Sequence, residues 1–377
     1  MITSATVRLL SAVFAILTTP AVLSAGVVDA FPTAQNTPAP LSEGSVGRPS
    51  VPDSCDTLTP KTQAARPFVP SVSGVVVGRY EDGTEDGYGR FAVRNARVAL
   101  RARLYDIFEL LVNTDFCDQG SVKILDAWGA VDLTGRLNFR LGQFRMPFGQ
   151  EMFLGPATYI FANRSLLVKN MCNYRAVGAQ LSWKPFGKTL ELAGGIFNPY
   201  TITDHKKWTR TYSASGTARL TLGDWKLNTG FMSVEPDSVR INLVNFGLQW
   251  RRGGLLLDAE YLYRHYTNKA HAATHGYVVY GDYAHPMRGR LFNRWSAQLR
   301  ADGITDNSSG IRDAAGRLVT DNPLQNRITV GGTLAHDGAK GLSCRFRLNY
   351  EKYFFGHIRP DKPGSGDKIV AELVLVF

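Results

Sequence analysis

The sequence predicts an all-β chain, a transmembrane antiparallel β-barrel of sixteen strands with one inward constriction loop. Three observations predict it. From residue 72 onward, apolar and polar residues alternate with period two rather than 3.6. The face opposite the apolar one is repeatedly arginine, which a soluble sheet buried on both faces does not need. The connections alternate between tight turns and longer loops, the asymmetry of outer-membrane barrels. Composition agrees. The 377 residues are 44% hydrophobic and mean hydropathy is −0.13, too low for a bundle of apolar helices. Twenty Phe, 15 Tyr and 6 Trp exclude a largely disordered chain. Alternating strands average to this neutral hydropathy.

The elements follow in chain order. Residues 1–30 read as a secretory signal peptide: Arg8, an apolar stretch from Leu9 to Leu23, and a small-x-small site at Val28-Asp29-Ala30. Thr18, Thr19 and Pro20 interrupt the stretch and argue against a membrane span. Residues 31–71 carry eight prolines among Ser, Thr and Ala and read as a flexible periplasmic linker. The barrel domain covers 72–377. Its strands are expected at 73–80, 91–104, 105–116, 121–133, 135–145, 174–184, 188–197, 210–222, 225–234, 239–251, 254–266, 275–283, 291–303, 326–335, 342–354 and 367–377. An even number puts both ends on one side. Short turns are expected at 133–135, 184–187, 223–224 and 251–254, and longer loops at 146–173, 198–209, 267–274, 304–325 and 355–366. The connection at 284–290 is long for a tight turn.

Alternation assigns the faces. In 96–104, Ala96, Val98, Leu100, Ala102 and Leu104 oppose Arg97, Arg101 and Arg103. The same pattern turns Arg136, Arg140, Arg219, Arg294, Arg300, Arg345 and Arg347 toward the lumen. Arginine stays charged, and its planar fork fits phosphate and carboxylate oxygens, so a row of them suits an anion pathway of many weak sites. Asp126, Asp258, Glu260, Glu351 and Glu372 also face inward. Pairing between these acids and the arginines gives the alternative reading, a structural or adhesive barrel whose lumen is plugged by paired charges.

Several segments resemble, in order, the phosphate-selective porin O and P family. Leu141-Gly142-Gln143-Phe144-Arg145-Met146-Pro147-Phe148-Gly149-Gln150-Glu151 resembles its Gly-Gln-Phe-Lys-x-Pro-Phe-x-x-Glu signature. Arg94 to Leu100 is similar to its early arginine strand, Asp126-Ala127-Trp128 to its Asp-Ala-Tyr strand, and Tyr174-Arg175-Ala176-Val177-Gly178 to its Arg-x-x-Gly element. Asn163-Arg164-Ser165-Leu166 resembles the Glu-Arg-Ser-Leu of the family's constriction loop, with Asn163 in place of Glu. The Pro-rich 31–71 stretch stands where family members often carry a coiled coil. The chain ends Leu373-Val374-Leu375-Val376-Phe377, like the terminal-Phe signal read by the outer-membrane assembly machinery.

The resemblance implies a homotrimeric porin in the outer-membrane lipid of a Gram-negative bacterium, passing small anions such as phosphate or polyphosphate. It makes 146–173 the constriction loop, with Arg164 at the narrowest point, Lys169 beside it, and Arg145 and Arg175 at its roots. By this topology Cys117 and Cys172 fall in adjacent extracellular loops, and a disulfide between them is expected to pin the loop. No catalytic residues, cofactor or metal are expected: the seven His show no HExxH spacing, and no nucleophile motif or phosphate loop is present. The formal charge of +11 lies along strand faces, which argues against nucleic acid as a partner.

Overall fold

The computed structural model describes residues 70–377, apart from 119, 205, 236–238 and 357–362. The expected signal peptide, nearly all of the expected linker and Cys55 lie outside the described residues. Sixteen strands follow one another: β1 (Ser71–Gly83), β2 (Gly89–Leu104), β3 (Phe108–Asp118), β4 (Ser121–Asp132), β5 (Leu137–Arg145), β6 (Arg175–Trp183), β7 (Leu190–Phe197) and β8 (Ser213–Leu222). They continue as β9 (Trp225–Val234), β10 (Ile241–Arg252), β11 (Leu255–Tyr266), β12 (Thr274–Pro286), β13 (Arg294–Ile304), β14 (Gln325–Asp337), β15 (Ser343–Phe355) and β16 (Lys368–Val376). Each pairs antiparallel with its sequence neighbours, and β1 pairs with β16, so the sheet closes into a barrel without a free edge. The seam ends at Phe377, whose N–H donates to Gly74 O at 3.0 Å while its carbonyl accepts from Gly74 N at 2.7 Å.

The two faces come from the alternation. Phe139, Leu141, Leu181, Phe246, Leu299, Phe346 and Leu373 all point outward and are exposed. Such an exterior is solvated by lipid, and a closed barrel leaves no backbone group unpaired there. Aromatic pairs sit at strand ends: Trp225 and Trp250 are 6.1 Å apart beside the Gly223–Asp224 turn, and Tyr283 and Trp295 are 5.9 Å apart. Such rings suit the membrane interface. Connections on one side are tight, as at 223–224 and 253–254. On the other they include 146–174, 198–212 and 305–324. The connection after β12 is seven residues, 287–293, the long turn the sequence indicated.

Register shifts interrupt the β1–β2 ladder once and the β3–β4 ladder twice. On β2, Val77 pairs with Asn95 and Gly78 with Val93, so Arg94 is an extra residue. Phe91 and Val93 are outside before it, and Val98 and Leu100 after it. On β4, Leu125 is the extra residue between the Asn113–Asp126 and Thr114–Ile124 pairs. A bulge points two successive side chains to one side and bends the strand.

The 146–174 connection folds into the barrel, as expected. It contains a 3-10 turn (Glu151–Phe153) and a short helix α1 (Leu166–Asn170), capped by Ser165 Oγ accepting from Val168 N at 3.2 Å. Met146, Phe148, Met152, Phe161, Leu167 and Met171 are almost completely buried against inward residues such as Phe197, Met232, Leu243, Leu262 and Val278. The apolar core therefore lies inside the cylinder, between the loop and part of its wall. This burial corrects the expected disulfide. Cys172 is buried in that core rather than in an outer loop, and Cys117 is on β3 with its thiol donating to Val93 O at 3.0 Å. Both are free thiols.

Candidate pore constriction

The loop that enters the barrel carries backbone N–H and C=O groups into a space where water is largely displaced. Each needs a partner. The wall supplies them, arginine for carbonyls and carboxylate for amides. From β1 and β2, Arg79 and Arg94 donate to Ala162 O at 2.7 and 2.8 Å, and both donate to Asn163 Oδ1 at 2.9 Å. From β13 and β14, Arg300 donates to Asn163 O and Arg327 to Arg164 O, each at 2.7 Å. From β15, Arg347 donates to Tyr159 O at 2.7 Å and Phe161 O at 3.2 Å, and Arg345 to Ala157 O at 2.5 Å. Arg145 at the root of the loop donates to Met152 O and to Leu154 O. Arg264 on β11 donates to Asn170 O and Met171 O.

The acids hold the amides. Glu260 accepts from Gln150 N at 2.8 Å and Glu151 N at 3.0 Å, fixing the 3-10 turn. Asp302 accepts from Leu166 N at 2.6 Å at the start of α1, and Asn349 Oδ1 from Ala162 N at 2.6 Å. The same groups pair with one another. Arg347 meets Glu372 at 2.8 Å, Arg327 meets Asp302 at 2.8 Å and Glu351 at 3.2 Å, and Arg79 meets Glu81 at 2.7 Å. Buried charges are tolerated only when paired and hydrogen-bonded in this way.

The other inward cations stand differently. Arg97 pairs with Asp115 at 2.7 Å and Arg175 with Asp126 at 3.0 Å. Arg101 and Arg103 are each 59% exposed in their side chains, with carboxylates at 3.4 and 4.0 Å. Arg136 is exposed and donates to Pro185 O at 3.2 Å; Arg294 pairs with Asp337 at 2.7 Å. Arg219 stacks on Phe153 of the loop at 4.6 Å, with Glu191 at 3.9 Å. Arg140 lies over Trp128 at 4.1 Å and makes no ion pair among the described residues. Lys169 on α1 is exposed. Arg164 is on the inward loop as expected, stacked on Tyr159 at 5.1 Å and donating to its hydroxyl.

The thirteen cations singled out in the sequence therefore divide. Arg300, Arg345 and Arg347 hold the loop. Arg97, Arg101, Arg103, Arg136, Arg140, Arg175, Arg219 and Arg294 hold no carbonyl of the inward loop, and Lys169 and Arg164 stand on the loop itself. Arg79, Arg94, Arg145, Arg264 and Arg327 hold the loop too but were absent from that set, although Arg145 was named at the root of the loop. Alternation with Ile328 and Val330 was available to find Arg327; the bulge at Arg94 hid its direction. Gly142 and Gln143 also have structural roles. Gly142 has φ of +135°, and a Cβ there would meet Ala127 O at 2.3 Å. Gln143 Nε2 donates to Ile124 O at 2.9 Å and Leu125 O at 3.0 Å beside the β4 bulge, and its Oε1 accepts from Ile202 N at 2.6 Å.

No family model matches the sequence, and no curated protein matches it. Solved structures match the fold. The anion-selective porin of Comamonas acidovorans is 14% identical with a TM-score of 0.54, over 82% of this chain and 100% of that one. OmpT of Vibrio cholerae in its trimer form is 11% identical with a TM-score of 0.55, over 82% and 99%. The outer-membrane channel DcaP of Acinetobacter baumannii is 12% identical with a TM-score of 0.53, over 84% and 99%. With its closed sixteen-strand sheet, its apolar exterior and its inward loop, this chain has the fold of the outer-membrane porins.

Proposed function

We propose that the protein is a porin of a Gram-negative outer membrane through which small anions diffuse passively. The observation that carries this reading is the set of inward cations left over from holding the loop. Arg101 and Arg103 on β2 and Arg219 on β8 have carboxylates at 3.4, 4.0 and 3.9 Å in pairs that are partly open to solvent, and Arg140 on β5 and Lys169 on the loop make no ion pair among the described residues. Weakly compensated arginines raise local anion concentration without trapping the ion. Arg164, Arg97, Arg136, Arg175 and Arg294 extend the pathway in this reading, and Arg164 lines its narrowest part. The phosphate-like sequence elements support an oxyanion such as phosphate as one substrate. No catalytic step belongs to the reading. The trimer form of the Vibrio OmpT neighbour supports a homotrimer.

A second reading has one observation in its favour. Eight arginines hold the loop backbone and several are fully paired, as a plugged structural barrel requires. Planar-bilayer recording separates the two. Anion-selective conductance is expected, and the Arg97→Ala/Arg101→Ala variant should shift the reversal potential toward zero. A sealed or cation-selective purified protein overturns the first reading.

A further inference from the structure

On the side of the long connections, the barrel holds a cavity of about 300 Å³. It lies between the end of α1, the start of β10, the end of β11 and the 305–324 connection. Its walls have two kinds of chemistry. Lys169 and Arg264 line it, and no Asp or Glu does among the described residues. Met171, Tyr174, Val239, Ile241 and Leu318 line it too. Arg264 is 3% exposed and makes no ion pair among the described residues. Its N–H groups go to neutral acceptors: Tyr266 Oη at 3.2 Å, Asn307 Oδ1 at 2.9 Å and the carbonyls of Asn170 and Met171. Its Nε has no partner. Arg300, Arg327 and Arg347 are equally buried, but each faces a carboxylate. Arg264 is thus a buried charge whose counter-charge the described residues do not provide, beside an open cavity. Such a charge is costly unless an anion completes it.

A hydrated inorganic oxyanion would shed water against Met171, Ile241 and Leu318 and gain nothing from them. A carboxylate with a short hydrocarbon body satisfies both walls. We propose that this cavity binds a small organic monocarboxylate: Lys169 supplies the donors, Arg264 the uncompensated charge, and Met171, Ile241 and Leu318 take the hydrocarbon. The site shares Lys169 with the proposed anion pathway but none of the arginines of β2, β5 and β8, and its occupancy does not depend on what the pore conducts.

The test is isothermal titration calorimetry of the purified full chain with hexanoate, hexylamine and inorganic phosphate. Hexanoate should saturate a single site per chain, hexylamine should not, and phosphate should bind there at least about tenfold more weakly. Leu318→Trp fills the cavity from its outer edge and leaves the bonds of Arg264 to the loop in place. It and Lys169→Gln should each weaken hexanoate by about tenfold or more. Arg264→Gln is not used, because it also releases the loop. Hexanoate binding no tighter than hexylamine overturns the proposal, as does binding that survives Leu318→Trp. The titration needs no voltage, so a cation-selective channel that still binds hexanoate would refute the proposed function and leave this site standing.

Discussion

Replacing Arg327 with methionine separates an arginine that holds the loop from one that lines the water. The side chain is 2% exposed, and Asp302 and Glu351 are fully buried. Its fork meets both oxygens of Asp302 at 3.1 and 2.8 Å, lies 3.2 Å from Glu351, and donates to Arg164 O at 2.7 Å. Methionine fills the space but leaves two buried carboxylates with Arg300 as their one remaining ion-pair partner among the described residues, at 3.4 and 3.6 Å. Removing one partner of a buried pair costs about 3–5 kcal/mol. The ladders of β13 and β14 are backbone bonds and remain, so the loss falls on the loop. Asp302 also holds Leu166 N, and the carbonyl of Arg164 loses its donor. Limited proteolysis of the purified barrel should cut between residues 154 and 166 in Arg327→Met and spare the wild type. Unfolding followed by gel mobility should shift by an amount of that order. Adding Glu351→Gln should recover part of it, because a charge is no longer orphaned. Arg101→Ala, at an exposed side chain, should change stability by less than about 1 kcal/mol. If Arg327→Met resists protease like the wild type, or Arg101→Ala is as destabilising, the assignment of the buried arginines to the loop is wrong.

Arg140→Ala removes an inward cation that orphans no carboxylate, so reversal potentials should move toward lower anion selectivity with the melting transition shifted by less than about 1 kcal/mol, measured on one preparation. Gly142→Ala places a methyl 2.3 Å from Ala127 O at a positive φ and should cost about 1–3 kcal/mol, seen as earlier unfolding in urea. Burial pushes the Cys172 thiol well above its ordinary value. The neutral form therefore persists through pH 8, and iodoacetamide should label Cys117 in the folded barrel and reach Cys172 only after denaturation. Labelling of both at equal rates would place Cys172 outside the core.

The sixteen strands were legible because period-two alternation runs through most of each strand and the turns are rich in glycine. Two bulges were not, since one extra residue leaves the composition of a strand unchanged while turning Arg94 and Asn95 inward together. The candidate site was half legible. Alternation tells that Arg300 and Arg347 point inward, but not what they meet there. Their acceptors are carbonyls of Asn163, Tyr159 and Phe161, and a carbonyl has no signature in the amino-acid code. The Cys117–Cys172 pairing failed for a related reason: the loop was expected to turn inward, yet Cys172 at its end was counted with the outer loops.

The division of the inner wall bears on how such a channel changes over generations. On β13, β14 and β15, Arg300, Arg327 and Arg347 each serve an acid and a stretch of loop backbone together, so a single replacement there loosens the gate before it alters what passes. Arg101 and Arg103 on β2, Arg140 on β5 and Arg219 on β8 hold no loop carbonyl, and a replacement there alters chiefly the field. Selectivity can drift, or be redesigned, at those four positions while the arginines that hold the loop keep the shape of the opening.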